Sequence, residues 1–321
     1  MANVLLIAAN NYKDPYPVYP LGVAYLSKYL KTHLPNDIIS EFDFNLQSYE
    51  NLKSLLQKQT FDIIGISLRN IDDTNIFAKN SFIEHYKRIN DIVRSLSKSK
   101  IILGGSGFSI FPEIIFQELN PDYAIHGEGE DSLLQLINAI KNQEDTQNIP
   151  GLVFYNKLSN SIKINEKGNY IDKPELEIGK NEAEYYWNES GMLNIQTKRG
   201  CPYNCIYCSY PIIDGKKVRT LEPQKVLENI IHLNKTLGIN YLFFTDSIFN
   251  INNEYNNKLC NLIIDSKLNI SWGAYFSPNN LTYEDLKLYK QAGLTHIEFG
   301  TDSLSDTQLR NYQKNFTFED I

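Results

Sequence analysis

The sequence predicts an α/β protein of two consecutive units, a doubly wound parallel sheet followed by a second β/α series. Three observations predict it. Short Ile/Leu/Val-rich runs without polar alternation recur along the chain, the pattern of strands buried on both faces. Amphipathic stretches of helical length separate them, and such β-α crossovers build parallel sheets. The length of 321 residues exceeds one average domain, and the pattern restarts after a polar interval.

In the first unit, residues 1–150, the strands are Val4–Ala9, Ile38–Asn45, Ile63–Leu68, Lys100–Gly104 and Tyr123–His126. Helical patterns fall at Gly22–His33, Leu52–Gln59, Phe82–Ser97, Pro112–Leu119 and Asp131–Asn142. Five strands suffice for a flavodoxin-like order. A short strand follows Pro150 at Gly151–Asn156, and residues 151–185 as a whole read as a connecting segment, its polar part from residue 157 carrying little core of its own. The second unit, 186–321, has strands at Leu193–Lys198, Tyr241–Thr245, Asn269–Phe276 and His296–Gly300. Its helices are Pro223–Thr236, Asn253–Ser266 and Tyr283–Ala292, and Thr317–Ile321 reads as the start of another.

Composition narrows the function. Hydrophobic residues at 42% and charged residues at 21% describe a chain able to bury a core. The longest apolar runs fall short of the ~20 residues that cross a bilayer, and the N-terminus lacks the basic and apolar regions of a signal peptide. With 31 Lys+Arg against 38 Asp+Glu the net charge is −7, and no basic block is present, so a nucleic-acid partner is not expected. Four cysteines are few, and Cys201, Cys205 and Cys208 fall within eight residues. A tight cluster in a cysteine-poor chain points to metal ligands in a reducing cytosol.

Those three lie in TKRGCPYNCIYCSYP, after a predicted strand. A structural zinc site wants four ligands, and no fourth is near; Cys260, on a predicted helix, reads as a small core residue. Three thiolates suit a cubane iron–sulfur cluster that keeps one iron open. Lys198 and Arg199 are expected to favour the ionised thiols.

The C-x3-C-x2-C spacing, with Tyr207 just before the last cysteine, resembles the loop of radical S-adenosylmethionine (SAM) enzymes. The resemblance implies a barrel whose loop cysteines hold a 4Fe–4S cluster, SAM bound on the open iron, and reductive cleavage of SAM to a 5′-deoxyadenosyl radical. It implies that Cys201, Cys205 and Cys208 are the metal ligands and that Tyr207 contacts cofactor. FFTDSIFN is similar to the family's second-strand motif, with Asp246 at the carboxyl end where barrel chemistry sits. HIEFGTDS places Glu298, Asp302 and Ser303 where the family holds the SAM ribose, although the more usual Glu-Ser pair is replaced by Asp302-Ser303. Asp246 and Asp302 also read as helix caps. A complete barrel of this family has six β/α units; only four strands are countable here, so the barrel reads as truncated, with apolar strand edges left open and poor solubility expected.

The N-terminal loops extend the resemblance. Open α/β sheets bind ligands at the carboxyl ends of their strands, and those ends carry NNYKDPYPVYPLG, SLRNIDDTN, GGSGFS and HGEGEDS. Gly104, Gly105, Gly107, Gly127 and Gly129 allow close backbone approach. GGSGFS matches neither a dinucleotide fingerprint nor a phosphate loop. With the cysteine loop, PLGVAYL, GG-x-G and the GEGE that contains Glu128 resemble the cobalamin-binding domain found ahead of many radical SAM domains. The D-x-H-x-x-G segment of many cobalamin proteins is absent, which implies a cobalt face without histidine. Arg69, after the third strand, is expected near that face or paired with Asp72 or Asp73; His126 reads as a satisfied core histidine.

The resemblance thus implies a cytoplasmic, cobalamin-dependent radical SAM enzyme transferring a methyl group to an unactivated carbon of a small-molecule, lipid or natural-product substrate. Ring formation or rearrangement, a non-catalytic cobalamin- or cluster-binding sensor, and a radical SAM enzyme whose N-terminal domain binds something other than cobalamin are the alternatives. The cofactors implied are the cluster, SAM and cobalamin, with an electron donor such as flavodoxin or ferredoxin. Trp272, Tyr275 and Phe276 suit radical protection or plain core.

Overall fold

A computed structural model describes residues 1–321 except 76, 78, 79, 169, 172 and 173. The chain divides into two compact units, Met1–Glu177 and Ile178–Ile321.

The first unit runs β1 (Asn3–Ala8), α1 (Leu21–His33), β2 (Ile38–Asp43), α2 (Tyr49–Lys58), β3 (Ile63–Ser67), α3 (Ile83–Leu96), β4 (Lys100–Gly104), α4 (Ser106–Ile110), α5 (Pro112–Leu119), β5 (Tyr123–Ile125), α6 (Glu130–Asn142), β6 (Leu152–Asn156) and β7 (Ser161–Ile164). The sheet order is β2-β1-β3-β4-β5-β6-β7. The first five strands are parallel, and β6 and β7 add antiparallel at the β5 side. Alternate residues of one strand feed opposite layers. Leu5 and Ile7 join Ile64, Ile66, Ile101 and Leu103 under α2, α3 and α5. Val4, Leu6 and Ala8 meet Val23, Leu30, Leu133 and Leu136 of α1 and α6. Two-faced burial is why these strands lack polar alternation. Local chemistry sets the helix starts: Ser48 and Asn51 form a reciprocal cap on α2, and Pro112 occupies the first turn of α5.

The second unit runs α7 (Lys180–Ser190), β8 (Leu193–Ile195), β9 (Lys198–Arg199), α8 (Tyr210–Ile213), β10 (Arg219–Thr220), α9 (Pro223–Leu237), β11 (Tyr241–Phe244), a 3₁₀ turn at Phe249–Ile251, α10 (Asn253–Asp265), β12 (Ser271–Phe276), α11 (Tyr283–Gln291), β13 (Leu294–Phe299) and α12 (Asp306–Asn311). Four parallel strands lie in the order β13-β12-β11-β8, while β9 and β10 form a separate antiparallel pair. Trp272, Phe244, Phe249 and Tyr289 form the aromatic centre of the helix-facing core, with ring centroids 4.9–6.3 Å apart. Trp272 and Phe276 are thus buried core, whereas Tyr275 is 41% exposed and stacks edge-on with Phe243 on the other face.

Parts of this architecture differ from the sequence reading: the strand expected at Leu193–Lys198 is split into β8 and β9, and the short elements α4, α8, β10 and α12 were not expected. The 157–185 interval contributes β7 to the first sheet and the start of α7 to the second unit; its hairpin pairing replaces the buried apolar run that sequence reading looks for. Thr317–Ile321 forms two successive i+3 turns rather than a helix, with Asp320 accepting from the Thr317 N–H and hydroxyl.

Candidate cluster and SAM site

The cysteine loop leaves β9 and returns through α8 to β10, so its two ends are held by an antiparallel pair. Gly200 makes the departure possible. Its φ is +90°, and a Cβ there would stand 2.2 Å from the Lys217 carbonyl oxygen; only glycine combines that φ with that approach. The Cys201 N–H then donates to the Gly215 carbonyl at 3.0 Å, and the Cys208 N–H to the Cys205 carbonyl at 3.1 Å. Farther along, the Ile206 N–H donates to the Tyr312 carbonyl at 3.1 Å.

All four cysteines are free thiols. Burial raises the pKa of Cys201, with Cys208 and Cys205 pushing it the same way. By its chemistry the donor set, three thiols on one loop, fits a cluster taking three protein ligands. Among the described residues, no group of three or more His, Cys, Asp or Glu side chains is already arranged to hold a metal ion. Cys260 is fully buried, its thiol pushed up to about 12 by burial, in keeping with a core residue.

The cation that favours a thiolate is not the expected one. Burial raises Cys205, and Lys314 pulls it back down. Lys198 instead turns into the core at 2% exposure, its Nζ 3.0 Å from Asp246 Oδ2 and 2.9 Å from Asn256 Oδ1, with Phe249 and Tyr255 rings at 4.4 and 4.8 Å. Burial lowers its pKa against the pull of Asp246. Arg199 donates to Gln196 Oε1 at 3.1 Å.

Asp246, at the end of β11, is 1% exposed and saturated: Oδ1 accepts the Thr197 and Lys198 N–H groups at 2.7 and 2.9 Å, and Oδ2 the Thr197 hydroxyl and the Lys198 ammonium. It fastens the strand that leads into the cysteine loop and caps no helix. Tyr207 and Asp302 meet: the phenol donates to the Asp302 carboxylate, which also pairs with Lys314. Asp302 has φ 62°, a left-handed conformation that turns the chain after β13. Glu298 stands apart from that group, 3.2 Å from His296 Nε2, and Ser303 Oγ accepts from the Ser305 N–H.

In the first unit, Gly105 (φ +95°) and Gly107 are explained by packing. A Cβ on Gly105 would lie 2.6 Å from the Leu68 carbonyl oxygen, and one on Gly107 3.1 Å from it. Gly104 has ordinary room, Gly127 (φ +91°) faces the Lys167 stem, and Gly129 precedes α6 with only Leu26 nearby. Glu128 and His126 line a small surface cleft with Glu130, Asp131 and Lys167; His126 Nε2 lies 3.1 Å from the Asn165 carbonyl. Arg69 is exposed, and its carbonyl accepts from Ser106. Asp72 and Asp73 accept the Thr74 and Asn75 N–H groups.

Sequence reading missed His85. Its Nε2 is 2.6 Å from the Ala9 carbonyl, just past β1, so that nitrogen carries the proton; Nδ1 then accepts from the Tyr49 hydroxyl at 2.5 Å. Burial lowers its pKa, in keeping with a neutral ring.

Residues 195–321 match the radical SAM superfamily. Domains of that superfamily imply a 4Fe–4S cluster and SAM. An uncharacterized methyltransferase of Pyrococcus horikoshii is 25% identical over 313 residues, covering 93% of this chain and 64% of the relative. Tryptophan 2-C-methyltransferase of Streptomyces laurentii is 22% identical, covering 93% and 59%. These chains are longer than the present one, which spans about three-fifths of them. The fold matches the radical SAM methyltransferase TsrM of Kitasatospora setae, solved with cobalamin and a 4Fe–4S cluster, at TM-score 0.90 and 21% identity, over 99% of this chain and 65% of that one. It also matches OxsB, a cobalamin-dependent SAM radical enzyme, at 0.81 and 23%, over 100% and 46%. Among the described residues no helix is long and apolar enough to cross a membrane.

Proposed function

We propose that this chain is a cobalamin-dependent radical SAM enzyme that methylates an unactivated carbon of a small-molecule, lipid or natural-product substrate through a 5′-deoxyadenosyl radical. The observation that carries the reading is three free thiols on one loop, its ends held by β9 and β10, within a radical SAM domain. Cys201, Cys205 and Cys208 would hold the cluster, and Tyr207, Asp302, Glu298 and Ser303 would contact SAM. Asp246 serves through Thr197 and Lys198, since its carboxylate has no free acceptor directed to a ligand. When bound, the cluster supplies the electron that cleaves SAM and cobalamin supplies the methyl group.

The first unit is the cobalamin-binding candidate. Its strand order β2-β1-β3-β4-β5 is that of flavodoxin-like sheets, and the fold likeness of this chain to parts of TsrM and OxsB supports the same reading. The corrin would meet the carboxyl-end loops that carry Arg69, Gly104, Gly105, Gly107, Gly127, Glu128 and Gly129. His85 has both nitrogens engaged, which supports a cobalt face without imidazole. The anaerobic magnesium-protoporphyrin IX monomethyl ester cyclase of Rubrivivax gelatinosus, 24% identical over 94% of this chain and 54% of its own, favours ring formation as the second reading. A cytoplasmic location and a flavodoxin or ferredoxin donor complete the proposal.

The test is anaerobic reconstitution of the chain with iron, sulfide and cobalamin, then addition of SAM and dithionite. Iron loading, a corrin absorbance spectrum and 5′-deoxyadenosine are expected, with iron lost in the Cys201→Ala/Cys205→Ala/Cys208→Ala variant. Zinc in place of iron, or iron retained by that variant, would refute the reading.

A further inference from the structure

Lys314 lies beyond α12, in a stretch that no motif singles out, yet it reaches into the cysteine loop's surroundings. Its side chain is 7% exposed. A lysine is seldom buried that far unless its ammonium is paired, and here it is paired three ways. The ammonium donates to the Gly300 carbonyl at 2.8 Å, forms an ion pair with Asp302, and lies 5.1 Å from the centre of the Tyr207 ring. Phe316 covers it at 5.6 Å. The adjoining chain reinforces the contact, because Tyr312 accepts the Ile206 N–H and sets its ring edge-on to Tyr207 at 6.1 Å.

These contacts join two segments far apart in sequence. Tyr207 sits between Cys205 and Cys208, while Gly300 and Asp302 form the turn after β13. The loop itself has no regular secondary structure from Cys201 to Cys205, so its shape depends on what grips it. Gly200 and β10 hold its base; the 312–316 stretch holds its far side.

We propose that Lys314 is a positioning residue for the cysteine loop: its ammonium locks Tyr207 to the β13 end through Asp302 and Gly300, and sets a positive charge beside the thiols that would carry the cluster. The proposal rests on reading the cysteines as cluster ligands. Two consequences separate it from a general packing role. Without the ammonium, the Tyr207–Asp302 contact faces an unpaired carboxylate and the loop loosens. A cation near a cluster also favours the reduced form, which carries one more negative charge.

The experiment compares the parent with Lys314→Met, which keeps the stem, and Lys314→Arg, which keeps the charge. Hydrogen exchange on the metal-free full chain reads the loop alone. Peptides containing Ile206 should exchange about tenfold faster in the methionine variant, the scale expected on losing a charge-assisted contact, and near the parental rate in the arginine variant. In reconstituted protein, a redox titration followed by electron paramagnetic resonance should show a lower cluster potential for methionine and recovery for arginine. Loss of iron from the methionine variant alone also supports the proposal. Unchanged exchange and potential in Lys314→Met, or loss of iron from both variants with the fold intact, would overturn it. A parent that takes up no cluster would instead overturn the underlying assignment, and exchange data on the metal-free chain would still judge the clamp.

Discussion

Removing either partner of the Lys198–Asp246 pair should cost the second unit more stability than any surface substitution. Both side chains are essentially buried, at 2% and 1% exposure. Asp246→Asn keeps an oxygen for the Thr197 and Lys198 N–H groups but turns an amide NH₂ toward the ammonium, which is left with Thr197 Oγ1 at 2.8 Å and Asn256 Oδ1 at 2.9 Å. Breaking a buried ion pair from one side costs about 3–5 kcal/mol, and the Asn variant should fall in that range. Lys198→Met leaves the thioether between the Phe249 and Tyr255 rings and strands the carboxylate, which keeps two backbone donors; about 3 kcal/mol is expected, the lower end of the range. The double variant should cost less than the sum, with a coupling of about 2 kcal/mol or more. Urea denaturation followed by tryptophan fluorescence reads this unit selectively, because Trp187 and Trp272, the two tryptophans of the chain, both belong to it. Linkage adds a check on sign. Burial lowers the Lys198 pKa, so as pH rises toward 10.5 the folded chain releases that proton first while the unfolded chain still holds it. The unfolded state binds more protons there, and parental stability should climb in that window by an increment that Lys198→Met lacks. Single variants within about 1 kcal/mol of the parent, or strict additivity to about 0.5 kcal/mol, would refute the reasoning.

Two further predictions concern the first unit. Gly105→Ala should destabilise by about 2 kcal/mol or more, since it adds left-handed strain to a 2.6 Å approach to the Leu68 carbonyl, whereas Gly129→Ala, whose nearest neighbour is Leu26 at 3.4 Å, should be near neutral; equal effects in chemical denaturation would sink the packing account. Burial raises the Asp122 carboxyl, but the Ile101 N–H at 2.9 Å, with Arg94 and Lys100, holds its pKa below 3.8. Its contribution is therefore present above that value and lost as pH falls through the depressed one, so Asp122→Asn should flatten the acid limb of the stability profile; an acid limb of unchanged slope would count against it.

What the sequence made legible followed local chemistry. The run Val4–Ala9 became β1 within a residue at each end, because burial on both faces leaves an unbroken apolar signal. The cysteine spacing is a local signal of the same kind, because its three thiols lie on one loop, within the stretch that matches the radical SAM superfamily. Contacts closed by the tertiary fold were not readable. Lys198 stands beside the cysteines in sequence, so it looked like their counter-charge, yet its strand direction turns it into the core. Lys314 shows no local signal at all, since its partners are supplied by the turns at 207 and 300–302. Gly105 and Gly107 read as room for a ligand, and the structure adds a packing reason that the sequence hides, since a Cβ at either would meet the Leu68–Arg69 backbone. β7 escaped notice because a hairpin edge strand needs no buried run, its Lys163 and Ile164 being exposed.

The engagement of His85 fixes how the mouth of the first sheet can respond to an arriving electrophile. With Nε2–H donating to the Ala9 carbonyl and Nδ1 accepting from the Tyr49 hydroxyl, the imidazole offers no lone pair unless Tyr49 of helix α2 lets go. A metal drawn to nitrogen there would first have to break one of those two hydrogen bonds, so the ring is held as part of the wall rather than offered as a ligand.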